Sequence, residues 1–170
     1  MILTPPFPLL TTPDSWDDFT LMAATVHLEA EGEPWPGPLA VAWVIRHRME
    51  SWHTPLKRVI LGPEGGAYDD GKPFEPFSCW NDDYRPMAQT RLAGATDAAR
   101  ERAWRAASGA LWDHEPDPVL GAFFYLNPEL TRRVRPDGRL PAWAADPADP
   151  RLVDPRKLIG MIGRHAFLAT

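Results

Sequence analysis

The sequence predicts an α+β domain, mostly helical with one small antiparallel sheet, on three observations. Apolar residues recur at helical spacing in three long stretches, over 15–32, 38–51 and 96–111. Two shorter stretches, Val119 to Leu126 and Ile159 to Leu168, are rich in branched and aromatic residues, as strands are. Twenty prolines and twelve glycines in 170 residues keep the elements short and leave much of the chain in ordered loop. With 44% apolar residues such a chain builds one core. It is read as a single domain, residues 1–19 forming a proline-rich extension that leads into the first helix and 20–168 the functional body.

Ser15, with Asp18 three residues on, has the form of a capping box, opening a helix that runs to about Gly32 and stops before Pro34 and Pro36. Pro38 at a first helical position then starts Leu39 to Ile45, apolar on all sides, which predicts a buried central helix ending near Ser51. A short helix is expected from Pro55 to Leu61. From Gly62 to about Arg91 the Gly, Pro and Asp content predicts a loop, too long for a connector and therefore a place for function. Thr96 or Asp97 caps a third long helix with Ala99, Ala103, Ala107 and Leu111 along one stripe. Val119 to Leu126 reads as a strand, and after a proline-rich excursion Ile159 to Leu168 can pair with it as an antiparallel ribbon.

Composition narrows the function classes. No run of about 18 uncharged apolar residues exists, so no membrane-spanning helix is expected. The N-terminus has no basic region before its apolar residues and is broken by prolines, which predicts a chain made in the cytoplasm without a cleaved signal. The single cysteine, Cys79, has no partner for an internal disulfide and is too little for a structural zinc site, so it is read as a small buried hydrophobe. Residues 1–80 carry eleven acids against five Lys or Arg, and 81–170 twelve against thirteen, with no long basic patch. Nucleic acid is therefore not an expected partner. Arg132, Arg133, Arg135 and Arg139 can grip an anion or form an ordinary solvated surface. A monomer without cofactor is expected.

The chemistry is read first from Glu29 and Glu33. Counting back from Glu33 through Glu29, Val26 and Met22 gives steps of four, three and four, one stripe of a helix whose earlier members are apolar. Acids that continue a core-facing stripe are shielded from water, which raises a carboxyl pKa and lets it hold a proton to donate. Glu31, between them, is expected to be solvated.

Five short segments then occur in order: LEAEGEPWPG (Leu28 to Gly37), AVAWVIRHR (Ala40 to Arg48), FSCWN (Phe77 to Asn81), FFYLNP (Phe123 to Pro128) and IGRHAFL (Ile162 to Leu168). Together they resemble the SleB-like cell wall hydrolases, the catalytic domain of spore cortex-lytic enzymes, over roughly residues 20 to 168. The resemblance implies a lysozyme-like, lytic transglycosylase-like α+β fold that cleaves the MurNAc–GlcNAc bond of peptidoglycan glycan strands, with Glu29 standing where the family has its catalytic acid. Three positions depart from the family pattern: His27 replaces an aromatic, Glu31 an Arg and Leu126 a His. His27 and Glu31 lie one turn apart and can in principle ligate a metal, but no third ligand falls at a diagnostic spacing, and none is expected.

Residues four apart on a helix point the same way with Cβ atoms about 5–6 Å apart. Two-carboxylate glycosidases instead place their groups on either side of the scissile bond, roughly 5–9.5 Å apart. A single-acid mechanism therefore fits better, with Glu29 as acid and then base and Glu33 orienting its surroundings or bracing the helix end. Sugar faces stack on indole and phenol rings. Trp43 and Trp104, on helices, are assigned to the core, whereas Trp35, Trp80, Asn81 and Trp143 are assigned to the cleft. Ser78, Tyr125 and Asn127 are expected to hydrogen-bond an N-acetyl group or the developing charge, with Tyr125 readable equally as a buried sheet residue. Two rival readings are a non-catalytic wall-binding or virion structural module and a metal-dependent amidase acting on the stem peptide. The compact chain is expected to be a phage endolysin released through a holin, or else a bacterial or prophage wall enzyme.

Overall fold

The computed structural model describes residues 5–9, 11–62, 77–80 and 84–169. Among the described residues, six α-helices and three strands follow one another as α1 (Asp18–Ala30), α2 (Gly37–Ser51), α3 (Leu56–Leu61), α4 (Arg85–Ala93), α5 (Asp97–Leu111), β1 (Phe124–Leu126), α6 (Pro128–Val134), β2 (Leu158–Ile162) and β3 (His165–Leu168). This is the α+β architecture that the alternation of helical and strand periods predicted.

Asp17, not Ser15, caps α1: its carboxylate accepts the Thr20 amide at 2.9 Å. Pro13 instead starts a separate 3-10 turn, Pro13–Ser15, and Trp16 then leaves it in an extended conformation, so Ser15 is spent on the Thr12 carbonyl. At its other end α1 stops at Ala30, because Gly32 turns the chain at φ +80° just before Pro34. Glu33 therefore lies in the corner after the helix, its amide donating to the Ala30 carbonyl at 3.0 Å, and the four-residue spacing to Glu29 is not one helical stripe.

The helices α1, α2 and α5 pack on one another, while α3 and α4 close on α1 from other sides. Leu21, Met22, Ala23, Ala24 and Val26 are wholly buried in α1, as are Ala40, Ala42, Val44 and Ile45 in α2. The central position expected of α2 alone is thus shared with α1. The alanine-rich face of α5 buries Ala103, Ala106, Ala107 and Ala110, small side chains that let α5 approach its neighbours closely, and Thr96 caps it by accepting the Ala99 amide. Trp43 and Trp104 join this core as expected, and so do Phe7 and Trp16 from the N-terminal segment.

Of the range 62–91 expected to be loop, residues 63–76 and 81–83 lie outside the described residues, and Pro86, in the first turn of α4, helps start a helix over the last part of the range. The expected strand from Val119 shortens to Phe124–Leu126, because Leu120 (φ +44°) and Gly121 (φ +87°) turn the chain beforehand. Asn127 and Pro128 open α6, a cap-and-proline signal that the reading of a proline-rich excursion passed over. The C-terminal apolar stretch folds into two strands around a Gly163–Arg164 turn, giving a sheet of order β1-β3-β2, antiparallel throughout.

Alternate residues of β3 face opposite sides. Phe167 enters the helical core, whereas Ala166 and Leu168 enter a second cluster with Leu126, Leu140, Ala144 and Ala145. The sheet is tied to α2 by Arg48, whose Nε donates to the Phe123 carbonyl at 2.8 Å, and by His47 Nδ1, 2.9 Å from the Ala122 carbonyl. Among the described residues no helix is long and apolar enough to cross a membrane.

Candidate active site

A cleft of about 490 Å³ opens where the end of α1, the Ser78–Trp80 turn, β1 and the β2–β3 turn converge, with α4 and α6 as its flanks. Glu29, in the last turn of α1, lies on its floor. The Tyr125 hydroxyl donates to Glu29 Oε2 at 3.0 Å, and the buried Cys79 lines the same cleft, near enough for the Glu29 charge to act on its thiol. Burial, reinforced by the Glu29 charge, pushes both the Tyr125 phenol and the Cys79 thiol well above their ordinary pKa values. Both therefore stay protonated, and the Tyr125 hydroxyl acts as a neutral donor. Among the described residues no cation pairs with Glu29.

The other two acids of the cleft are differently placed. The Glu33 side chain is only 2% exposed, and its carboxylate accepts the Arg164 amide at 3.1 Å and Arg164 Nε at 2.8 Å, with His165 Nδ1 at 3.7 Å. Burial pushes its pKa up, but the Arg164 hydrogen bonds outweigh that and hold it below the ordinary value. The raised pKa expected of Glu33 from the apolar stripe is thus reversed, because a counter-ion arrives from the far end of the chain. Gly163, at φ +56°, allows this approach: a Cβ there would overlap Glu33 Oε2. Glu31 is exposed and paired with Arg91 Nε at 2.8 Å, while Arg91 Nη2 donates to the Leu28 carbonyl at 2.6 Å. His27 is buried against Phe7, ring centroids 5.7 Å apart, Glu31 is paired with Arg91, and among the described residues no group of three or more His, Cys, Asp or Glu could hold a metal ion.

Glu29, Glu33, Tyr125 and Asn127 therefore come together on the cleft. Tyr125 serves Glu29 and lies half-buried over Phe167, which unites the two readings of it. Asn127 spends its side-chain oxygen on capping α6, accepting the Leu130 amide at 2.9 Å. The tryptophans expected in the cleft are elsewhere. Trp80 is buried, its indole N–H donating to Thr25 Oγ1 at 2.9 Å, so both ring faces belong to the core. Trp35 packs on the helical core beneath the Arg105 guanidinium, 4.2 Å from its ring. Trp143 is exposed but outside the cleft, with its ring 5.3 Å from that of Phe124. Asn81 and the side chain of Ser78 lie outside the described residues.

Sequence reasoning did not assign Tyr84, Met87, Arg91, Leu130, Arg164 and His165, all of which line the cleft. Arg164 and His165 stand inside the IGRHAFL segment, so the motif contained them, but only folding shows that they meet Glu33.

A family model described as cell wall hydrolase matches residues 32–168, beginning three residues after Glu29. The spore cortex-lytic enzyme of Oceanobacillus iheyensis is 32% identical over 120 residues, covering 68% of this chain and 39% of that protein. The chain thus spans about two fifths of the length of that relative. Among solved structures, the catalytic domain of the Bacillus cereus SleB protein superposes with a TM-score of 0.56 at 26% identity, over 93% of this chain and 95% of that one. With a cleft built on Glu29 and a family match over most of its length, the chain belongs to the cell wall hydrolase family.

Proposed function

We propose that the protein degrades peptidoglycan as a lytic transglycosylase, cleaving the MurNAc–GlcNAc bond with Glu29 as the single acid and base. One observation supports this reading: of the three carboxylates on the cleft among the described residues, Glu31 and Glu33 are bound to arginines, and Glu29 is held by the neutral Tyr125 hydroxyl. A second carboxylate free to act as nucleophile or to activate water is absent among the described lining residues, which favours a mechanism that needs one. Protonated Glu29 gives its proton to the glycosidic oxygen as the bond to the anomeric carbon breaks. The resulting carboxylate takes the proton of the muramoyl C6 hydroxyl as that oxygen attacks the same carbon, closing a 1,6-anhydro ring and restoring the acid. Tyr125, bonded to Oε2, fixes the carboxyl plane while the proton leaves and returns.

The test is mass spectrometry of fragments released from purified sacculi by the native protein and by Glu29→Gln. Anhydromuramoyl ends that vanish in the variant, with a rate loss of about 10²–10⁴-fold, are the expected result. Reducing muramoyl ends would make the enzyme a muramidase, and free stem peptides or an undiminished variant would refute the single-acid mechanism. Deployment as an endolysin is tested separately by co-expression with a holin, which should then lyse the producing cells.

A further inference from the structure

Tyr84, at the N-cap of α4, is 49% exposed, Met87 one turn later 53%, and Leu130 of α6 51%. All three line the cleft whose floor carries Glu29 and Tyr125. Single apolar side chains scattered over a surface are ordinary. Three from two helices that converge on one unpaired acid are a different case, since each loses hydration when the cleft fills. The helix α4 is seated by burying Ala88 and Leu92, while α6 buries no residue but is capped by Asn127 and tied by Arg132 Nη1 to the Arg151 carbonyl at 2.9 Å.

The geometry points to Tyr84, Met87 and Leu130 as an apolar clamp that takes the C–H faces of the hexosamine rings on either side of the bond above Glu29, in the role that the tryptophans do not fill. The phenol ring of Tyr84 offers a flat face with a polar edge, and the Met87 thioether adapts to an uneven ring face from the same wall. Leu130 closes the strand in from the α6 flank. Charge on the cleft wall agrees with a neutral N-acetylated sugar, because Glu31 with Arg91 and Glu33 with Arg164 cancel in pairs. The clamp rests on the glycan-cleaving reading above for its ligand, but it makes a separate claim about which side chains hold that ligand.

Binding separates the two claims. The Glu29→Gln protein is co-sedimented with purified sacculi, alongside the same protein carrying Tyr84→Ala, Leu130→Ala or Trp143→Ala. Loss of one stacking or packing partner is expected to weaken binding about fivefold for Tyr84→Ala and for Leu130→Ala. In the active background the same two changes should raise KM by a similar factor while kcat stays within about threefold, the pattern of lost ground-state binding. Because both side chains are half exposed, thermal melts should match the parent, which keeps misfolding out of the comparison. Binding within twofold of the parent for both variants, or a loss seen with Trp143→Ala in their place, overturns the clamp and leaves the activity untouched. Clamp-dependent binding by a native protein that releases no sugar ends would refute the activity and leave the clamp standing.

Discussion

Glu29 is held in place by the Tyr125 hydroxyl. Tyr125→Phe removes a single hydroxyl from a half-buried ring and leaves the stacking on Phe167 in place. A hydrogen bond to a reacting carboxyl contributes on the order of 1 kcal/mol, so kcat should fall about fivefold with KM unchanged, read in steady-state turnover of sacculi. A KM effect without a kcat effect would show that Tyr125 binds sugar and does not position Glu29. Cys79 lies beside the same carboxylate. Its thiol is held neutral by burial and by the Glu29 charge, and the thiolate is the reactive form. The native protein should therefore react with a disulfide reagent at pH 8 far more slowly than the unfolded chain, in a spectrophotometric thiol titration. Fast native reaction would mean that Cys79 is not buried.

At the scale of elements, the corner between α1 and α2 is joined to the β2–β3 turn through Glu33. Glu33→Gln keeps the shape but loses the charge that Arg164 faces. Since Arg164 is 65% exposed, water recovers part of the cost, and a loss of about 2 kcal/mol in urea unfolding is expected. The sign of the pH effect follows from the depressed Glu33 pKa. The stabilisation is full above the ordinary carboxyl value of 4.5 and is lost as pH falls below it and through the lower folded-state value. Native protein should thus lose stability over that acidic range more steeply than Glu33→Gln, and parallel curves would remove Glu33 from the account. Gly163→Ala demands a left-handed backbone of a residue with a Cβ and drives that carbon into Glu33, which should cost about 1–2 kcal/mol or more. The corner was half legible in the sequence. Gly32 and Pro34 announced the end of α1, yet the partner of Glu33 lies 131 residues away, beyond the reach of any local pattern.

For the molecule as a whole, β3 contributes to both hydrophobic clusters. Phe167 belongs to the helical core, while its neighbours Ala166 and Leu168 belong to the cluster under residues 140–153. Phe167→Ala should cost about 3–5 kcal/mol and lower the melting temperature of the entire chain in a single transition by calorimetry. Two separated transitions would instead show that the C-terminal cluster is an independent unit. The long helices and their order were legible because α1, α2 and α5 each carry a cap or a proline at the start and an apolar pattern along their length. The small sheet was legible only in outline, since strands of three to five residues give a period of two too few repeats to mark their ends.

Local spacing and side-chain chemistry were enough to name the α+β class, and the resemblance carried by five short segments singled out Glu29, whereas the helical stripe read from Glu29 to Glu33, on which the preference for one acid was argued, ends at Ala30, because Gly32 turns the chain first. Tertiary structure decided which of the remaining candidates share the cleft. It gave Glu33 to Arg164, buried Trp80 behind Thr25, and brought Tyr84, Met87 and Leu130 to the flanks. A side chain's partner and exposure are set by segments distant in sequence, and those meet only once the helices and the sheet have packed.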